Sequence, residues 1–210
     1  MTETKKLTYN GMNVVMPSDE LNDSYTRIKD YETLEQYSEI IVIGKILSDG
    51  SQENLSFYDY DLQKDIVYGY ISYNQIEVLK VFKGDVAVGD KLNICQDYGV
   101  TANDELYSQS KLTPMEKDDE WLFFLELDLR HEDYTCSAND FGFGRYPIPT
   151  AEIEETVDKL EELSTKKPKN WQKEYKKEQK NLKTEDFGVF SEENIKIDIY
   201  SKILDNYDFS

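Results

Sequence analysis

Histidine and cysteine are almost missing from this 210-residue sequence, which has one histidine, His131, and two cysteines, Cys95 and Cys136. A single histidine excludes, within one chain, a His-based metal cluster, a two-histidine site and a Ser-His-Asp arrangement with a spare base. His131 lies in Arg130-His131-Glu132-Asp133, which reads as a solvated polar turn. Two cysteines are too few for a zinc site, and their spacing is not that of a C-x-x-C redox motif. Two readings of the pair stay open: one disulfide closing a loop of about 40 residues, or two buried thiols in a reducing cytosol.

Long apolar runs are lacking too. Ile40–Ile43 and Trp121–Leu125 fall far short of the roughly 20 residues that cross a bilayer, so no membrane span is expected. The opening Met-Thr-Glu-Thr-Lys-Lys has no apolar signal core and no nearby lipidation cysteine. Positive charge is scarce, with 24 basic residues against 43 acidic ones and a net charge of −19. Such a field repels phosphate backbones and anionic headgroups, so nucleic acid is not expected as a partner. The exception is local. Lys166, Lys167, Lys169, Lys173, Lys176, Lys177, Lys180 and Lys183 face only Glu174 and Glu178 across that stretch, which is therefore net positive. No glycine-rich phosphate loop precedes a helix and no EF-hand spacing is present, so no cofactor or metal is expected.

What the chain does contain is 39% hydrophobic and 13% aromatic residues, enough for a packed core with polar flanks. Residues 1–29 show no sustained period and read as an irregular lead-in. Thr33 and Gln36 have capping-box spacing for a short helix ending near Ser38. Ile40–Ile46 is β-branched around Gly44 and reads as a central strand buried on both faces. Ser48 to Lys64 reads as a long exposed loop, and residues 97–119 as polar and turn-rich. Strands are expected in Val67–Phe82, Lys91–Cys95, Trp121–Leu125 and Tyr134–Cys136. Thr150 is placed to cap a helix with an Ile153, Val157, Leu160, Leu163 stripe, the lysine-rich stretch around Trp171 and Tyr175 has helical propensity, and Ser191 is placed to cap a last helix through Ile195, Ile199 and Ile203. The implied division is 1–29 irregular, 30–163 barrel with flanking helices, and 164–210 helical tail.

The series Ile-Val-Ile-Gly-Lys-Ile, Ile-Glu-Val-Leu-Lys-Val-Phe-Lys-Gly-Asp, Gly-Asp-Lys-Leu-Asn-Ile, Asp-Asp-Glu-Trp-Leu-Phe-Phe-Leu and Gly-Phe-Gly-Arg-Tyr-Pro-Ile covers residues 38 to about 163. It resembles a group of exported, uncharacterised bacterial proteins whose pattern is similar to the OB-like barrel of the netrin-like and tissue-inhibitor-of-metalloproteinases superfold. The resemblance implies a mainly β fold with α additions: a closed five-stranded OB-like barrel plus C-terminal helices. It also implies an extracytoplasmic setting, secreted or cell-surface, with a Cys95–Cys136 disulfide, and a lipid anchor if a leader has been removed. The zinc-directed amino-terminal cysteine of those inhibitors has no counterpart here, because the chain opens Met1-Thr2.

Tyr58, Tyr60, Tyr68, Tyr70 and Tyr73 flank the long loop and are the best binding-face candidates, either as a contact surface for a protein or glycan or as ordinary barrel-wall tyrosines. Paired acids such as Asp118-Asp119-Glu120 or Asp59 and Asp61 arise readily among 43 carboxylates. The expected function is a non-catalytic exported or cell-surface binding module. The alternatives are a protein–protein inhibitor or immunity-type protein, and a hydrolase using carboxylates alone.

Overall fold

A computed structural model describes residues 7–16, 28–48, 50–108, 112–127, 134–137, 143–179 and 194–209. The fold is mixed but mainly β. Its framework is a strongly curled sheet of β3 (Ile40–Ile46), β5 (Lys64–Lys83), β6 (Lys91–Gln96), β9 (Glu120–Leu127) and β10 (Tyr134–Ser137). The ladders run β6–β5–β3–β9 antiparallel, and β10 lies antiparallel to β9 and parallel to β6. The expected closed barrel is thereby corrected to a half-barrel. Contact through β10 extends over only three residue pairs on each side, too few to close the curl along its height. The short β11 (Arg145–Pro147) adds to β9.

β3 is buried on both faces, as its composition required. Val42 and Ile46 face a core with Ile76, Val78, Ile94, Phe123 and Leu125, while Ile41 and Ile43 face a second core shared with the helices. That second core receives α1 (Tyr31–Tyr37), α2 (Ala151–Lys166), α3 (Trp171–Gln179) and α4 (Asn194–Asn206) through Leu34, Val157, Leu160, Tyr175, Tyr200 and Ile203. Tyr200 stacks on Tyr146 at 5.9 Å and its hydroxyl donates to the Pro147 carbonyl at 3.1 Å. Thr150 caps α2 as its position suggested, accepting from the Ile153 amide. The cap of α1 lies one turn earlier than expected. Asp30 accepts from the Thr33 amide at 2.8 Å and the Thr33 hydroxyl accepts from the Asp30 amide, so Thr33 fills the distal half of the capping box. His131 and Ser191 lie outside the described residues.

Three stretches read as irregular form strands instead. Thr8–Tyr9 (β1) and Met12–Val15 (β2) pair across Asn10-Gly11, whose positive φ values of 47° and 82° make the two-residue turn favoured in hairpins. β2 pairs in parallel with β8 (Leu106–Ser108), which pairs with β7 (Tyr98–Val100), giving a second, four-stranded sheet. Its strands are two to four residues long, too short to impose a visible period. The third is β4 (Ser51–Asp59), which forms a long antiparallel hairpin with the first half of β5, in place of the expected loop.

Candidate functional site

The β4–β5 hairpin is an arm. Lys64–Ile71 of β5 pair only with β4 among the described residues, and from Ser72 onwards β5 also pairs with β6 and later β3. At the tip, Asp59 Oδ1 accepts from the amides of Asp61 and Leu62, both at 2.9 Å, and Gln63 takes a left-handed conformation. This side chain-to-backbone turn is a usual role for Asp and accounts for the Asp59–Asp61 pair without a ligand.

Around that turn the arm exposes Phe57, Tyr58, Tyr60, Leu62, Val67 and Tyr68, each 43–84% exposed. They account for half of the large hydrophobic residues exposed among the described residues. Tyr58 and Tyr60 meet edge to face at 5.2 Å, and Phe57 and Tyr68 meet at 6.1 Å, so the rings support one another outside any core.

The five tyrosines singled out in the sequence therefore divide. Tyr58, Tyr60 and Tyr68 lie on the exposed distal part of the arm. Tyr70 and Tyr73 are half-buried at its base, where Tyr70 packs on Tyr107 at 5.4 Å and the Tyr73 hydroxyl donates to Glu53 at 2.8 Å. Sequence reasoning missed Phe57, Leu62 and Val67. Their signal was the proximity of a second apolar cluster to the tyrosines once Asp59 is read as the start of a turn.

The base is held firmly. The Gln52 side-chain amide accepts from the Val100 amide at 2.6 Å and donates to the Val100 carbonyl at 2.9 Å, tying β4 to β7. Gly99 makes this approach feasible, since a Cβ there would lie 2.6 Å from Tyr70 Cβ and 2.7 Å from Gln52 Oε1. Ser72 donates to the Tyr98 carbonyl, and the buried Tyr98 hydroxyl donates to Asn74 while accepting from the Met115 amide. The small sheet thus buttresses the arm through buried polar bonds.

A cleft of about 500 Å³ opens beside this base, lined in part by Tyr9, Asn10, Gln52, Tyr98 and Glu116. Glu116 accepts from the Tyr9 hydroxyl at 2.7 Å and from Asn10 Nδ2 at 3.1 Å, and these bonds hold its carboxyl below the ordinary range. Burial, with Glu116 alongside, pushes the Tyr9 phenol upward. The carboxylate pins the β1–β2 turn to the chain before β9.

The remaining candidates have structural occupations. Asp118 pairs with Lys45 at 3.0 Å, and Asp119 accepts from the Glu116 amide. Among the described residues no group of three or more His, Cys, Asp and Glu side chains is placed to hold a metal ion. Arg145 is fully buried, donates to the Thr113 carbonyl and hydroxyl at 2.7 and 2.9 Å, and lies over the Trp121 ring at 4.5 Å. Burial lowers its pKa to about 10, so it remains charged at neutral pH.

Cys95 and Cys136 are direct register partners on β6 and β10. Neighbouring strands are spaced about 4.8 Å apart, within the Cα separation that a disulfide bridges, and Cys95 is not a free thiol. In the lysine-rich stretch, Trp171 and Tyr175 pack edge to face at 6.3 Å with Tyr175 buried, so the aromatics there serve packing between α3 and its neighbours. No helix among the described residues is long and apolar enough to cross a membrane.

No family model matches the chain, and comparison with curated proteins and with solved structures finds no match.

Proposed function

We propose that this chain is a non-catalytic binding module, exported or held at the cell surface, that grips a protein partner with the β4–β5 arm. The observation that carries this reading is the cluster of six exposed large apolar side chains between Phe57 and Tyr68, on a hairpin whose base is fixed by the buried Ser72–Tyr98 bond and the exposed Gln52–Val100 pair. Aromatic side chains give large contact area with few rotors to immobilise, and a rigid base lowers the ordering cost of binding. A glycan partner would use the same rings.

The framework is read here as an OB-type barrel. What supports this is ladder order: three consecutive antiparallel strands β3, β5 and β6, then β9 beside β3, and β10 between β9 and β6 and parallel to the latter. The exported setting is supported by the register of Cys95 with Cys136, since oxidising compartments favour such a bond.

Affinity capture from the native host tests the reading, using the wild type and a variant with Phe57→Ser, Tyr60→Ser and Tyr68→Ser. A partner retained by the wild type and lost by an equally stable variant is the expected result. Capture unchanged by the variant sinks the reading.

A further inference from the structure

β4 runs along the outside of the arm for nine residues, and among the described residues its only ladder partner is β5. The single register shift of the hairpin places the extra residue, Tyr68, in β5, between the Leu55–Gly69 and Ser56–Val67 pairs. The outer edge of β4 is therefore regular. Proteins commonly blunt such an edge with Lys, Pro or a bulge, and β4 carries none of these; its two charges, Glu53 and Asp59, are acidic.

Alternation along the strand puts Glu53, Leu55, Phe57 and Asp59 on one face. That order is acid, apolar, apolar, acid. The arm over residues 51–71 has four acidic residues, Glu53, Asp59, Asp61 and Asp65, against Lys64. A second copy of the chain would bring net −19 against net −19, whereas a basic segment is attracted. Cross-strand pairs of opposite charge and of apolar residues both favour pairing.

Resting on the reading of the arm as the binding element, we propose that β4 is completed by an extended basic segment of a partner protein. The segment adds as a further strand. Its cationic residues, six positions apart, stand beside Glu53 and Asp59, and the apolar residues between them stand beside Leu55 and Phe57. Main-chain hydrogen bonds supply the attachment and the side-chain order supplies the choice of partner.

The probe is the synthetic peptide Thr-Lys-Thr-Val-Thr-Val-Thr-Lys-Thr, titrated into the full isotope-labelled chain at 0.15 M salt, a concentration that screens loose charge attraction beyond about 8 Å. Three further peptides accompany it: one with Glu for Lys, and two N-methylated at every second residue in opposite phases. Alternate amides of a strand point to opposite edges, so strand addition predicts that one methylated phase binds at least about tenfold more weakly and the other binds like the parent. The amides of residues 53–59 are expected to shift, and the Glu peptide is expected to bind at least about tenfold more weakly. Equal binding by both methylated phases, shifts elsewhere, or no binding by the Lys peptide overturns the proposal. So does a concentration-dependent dimer in sedimentation that Leu55→Pro abolishes, which would assign the edge to a second copy. A host partner captured through the arm while the Lys peptide fails to bind would leave the arm as a contact surface and remove only strand addition.

Discussion

Gly99 and Gln52 decide how closely β7 approaches the arm. An alanine at Gly99 would press its Cβ on the first side-chain carbon of Tyr70, an atom fixed to the backbone and unable to swing aside. Gly99→Ala is expected to lower stability by about 1–3 kcal/mol, the usual range for overpacking, as read from the urea midpoint. A second residue, the exposed Asp198, borders an open cleft lined by Trp171 and Tyr175. Partial desolvation against the cleft wall, reinforced by Glu161, raises its carboxyl above the ordinary value. The folded state therefore binds this proton more tightly than the unfolded state, and stability present at low pH is lost as pH rises through the raised value. Asp198→Asn is expected to melt higher than the wild type at pH 7, with the difference vanishing below about pH 4. Equal melting at pH 7 would contradict this. At this scale the exposure of Tyr58, Tyr60 and Tyr68 is legible by type and clustering, but that of Tyr70 and Tyr73, which are half-buried, is not. The capping Asp30 was hidden, because Thr33 and Gln36 offer the same pattern one turn later, and only backbone geometry distinguishes the two.

Elements were legible where both core faces demanded them. β3 and β9 are apolar because each lies between two cores, and their sequences announce it. The β4–β5 arm gives no such signal, since it borders no core and both of its faces meet solvent over much of its length. For that reason Ser48 to Lys64 reads as a loop in the sequence, while the side of the arm that starts at Val67 reads as a strand. The β1–β2 hairpin did carry its signal, Asn10-Gly11, but flanking strands of two and four residues were too short to support it. The β6–β10 contact carries a prediction of its own. With Cys95 and Cys136 in register, Ellman titration of the unreduced, unfolded chain is expected to find no thiol. Cys95→Ser is expected to cost roughly 2–4 kcal/mol, given a loop of about 40 residues, and the loss should disappear when both proteins are compared in reductant. Two titrating thiols would contradict the bond and weaken the case for an exported setting.

Across the whole molecule, charge and exposed apolar surface are separated along the chain. The lysine-rich stretch that begins at Lys166 surrounds α3, while the exposed rings gather on a hairpin of acidic sign. The curled framework holds that hairpin by continuing one strand, β5, from the core outward for 20 residues, so the arm is an extension of the central sheet. Composition foretold the packed core and the sign of the field, but not the direction in which β5 leaves the curl. Pairing between Ser51–Asp59 and Lys64–Tyr73 is set by the turn at Asp59 and by contact with β7, neither of which has a periodic signature. The central claim is that the arm is where this protein meets its partner. Its most direct test places a photoreactive benzoyl-phenylalanine at Tyr60 in one sample and, as an exposed control outside the arm, at Val88 in another, followed by irradiation in the native host. A discrete protein adduct at position 60 and none at position 88 is the predicted result; adducts of equal yield at both, or at 88 alone, would contradict it.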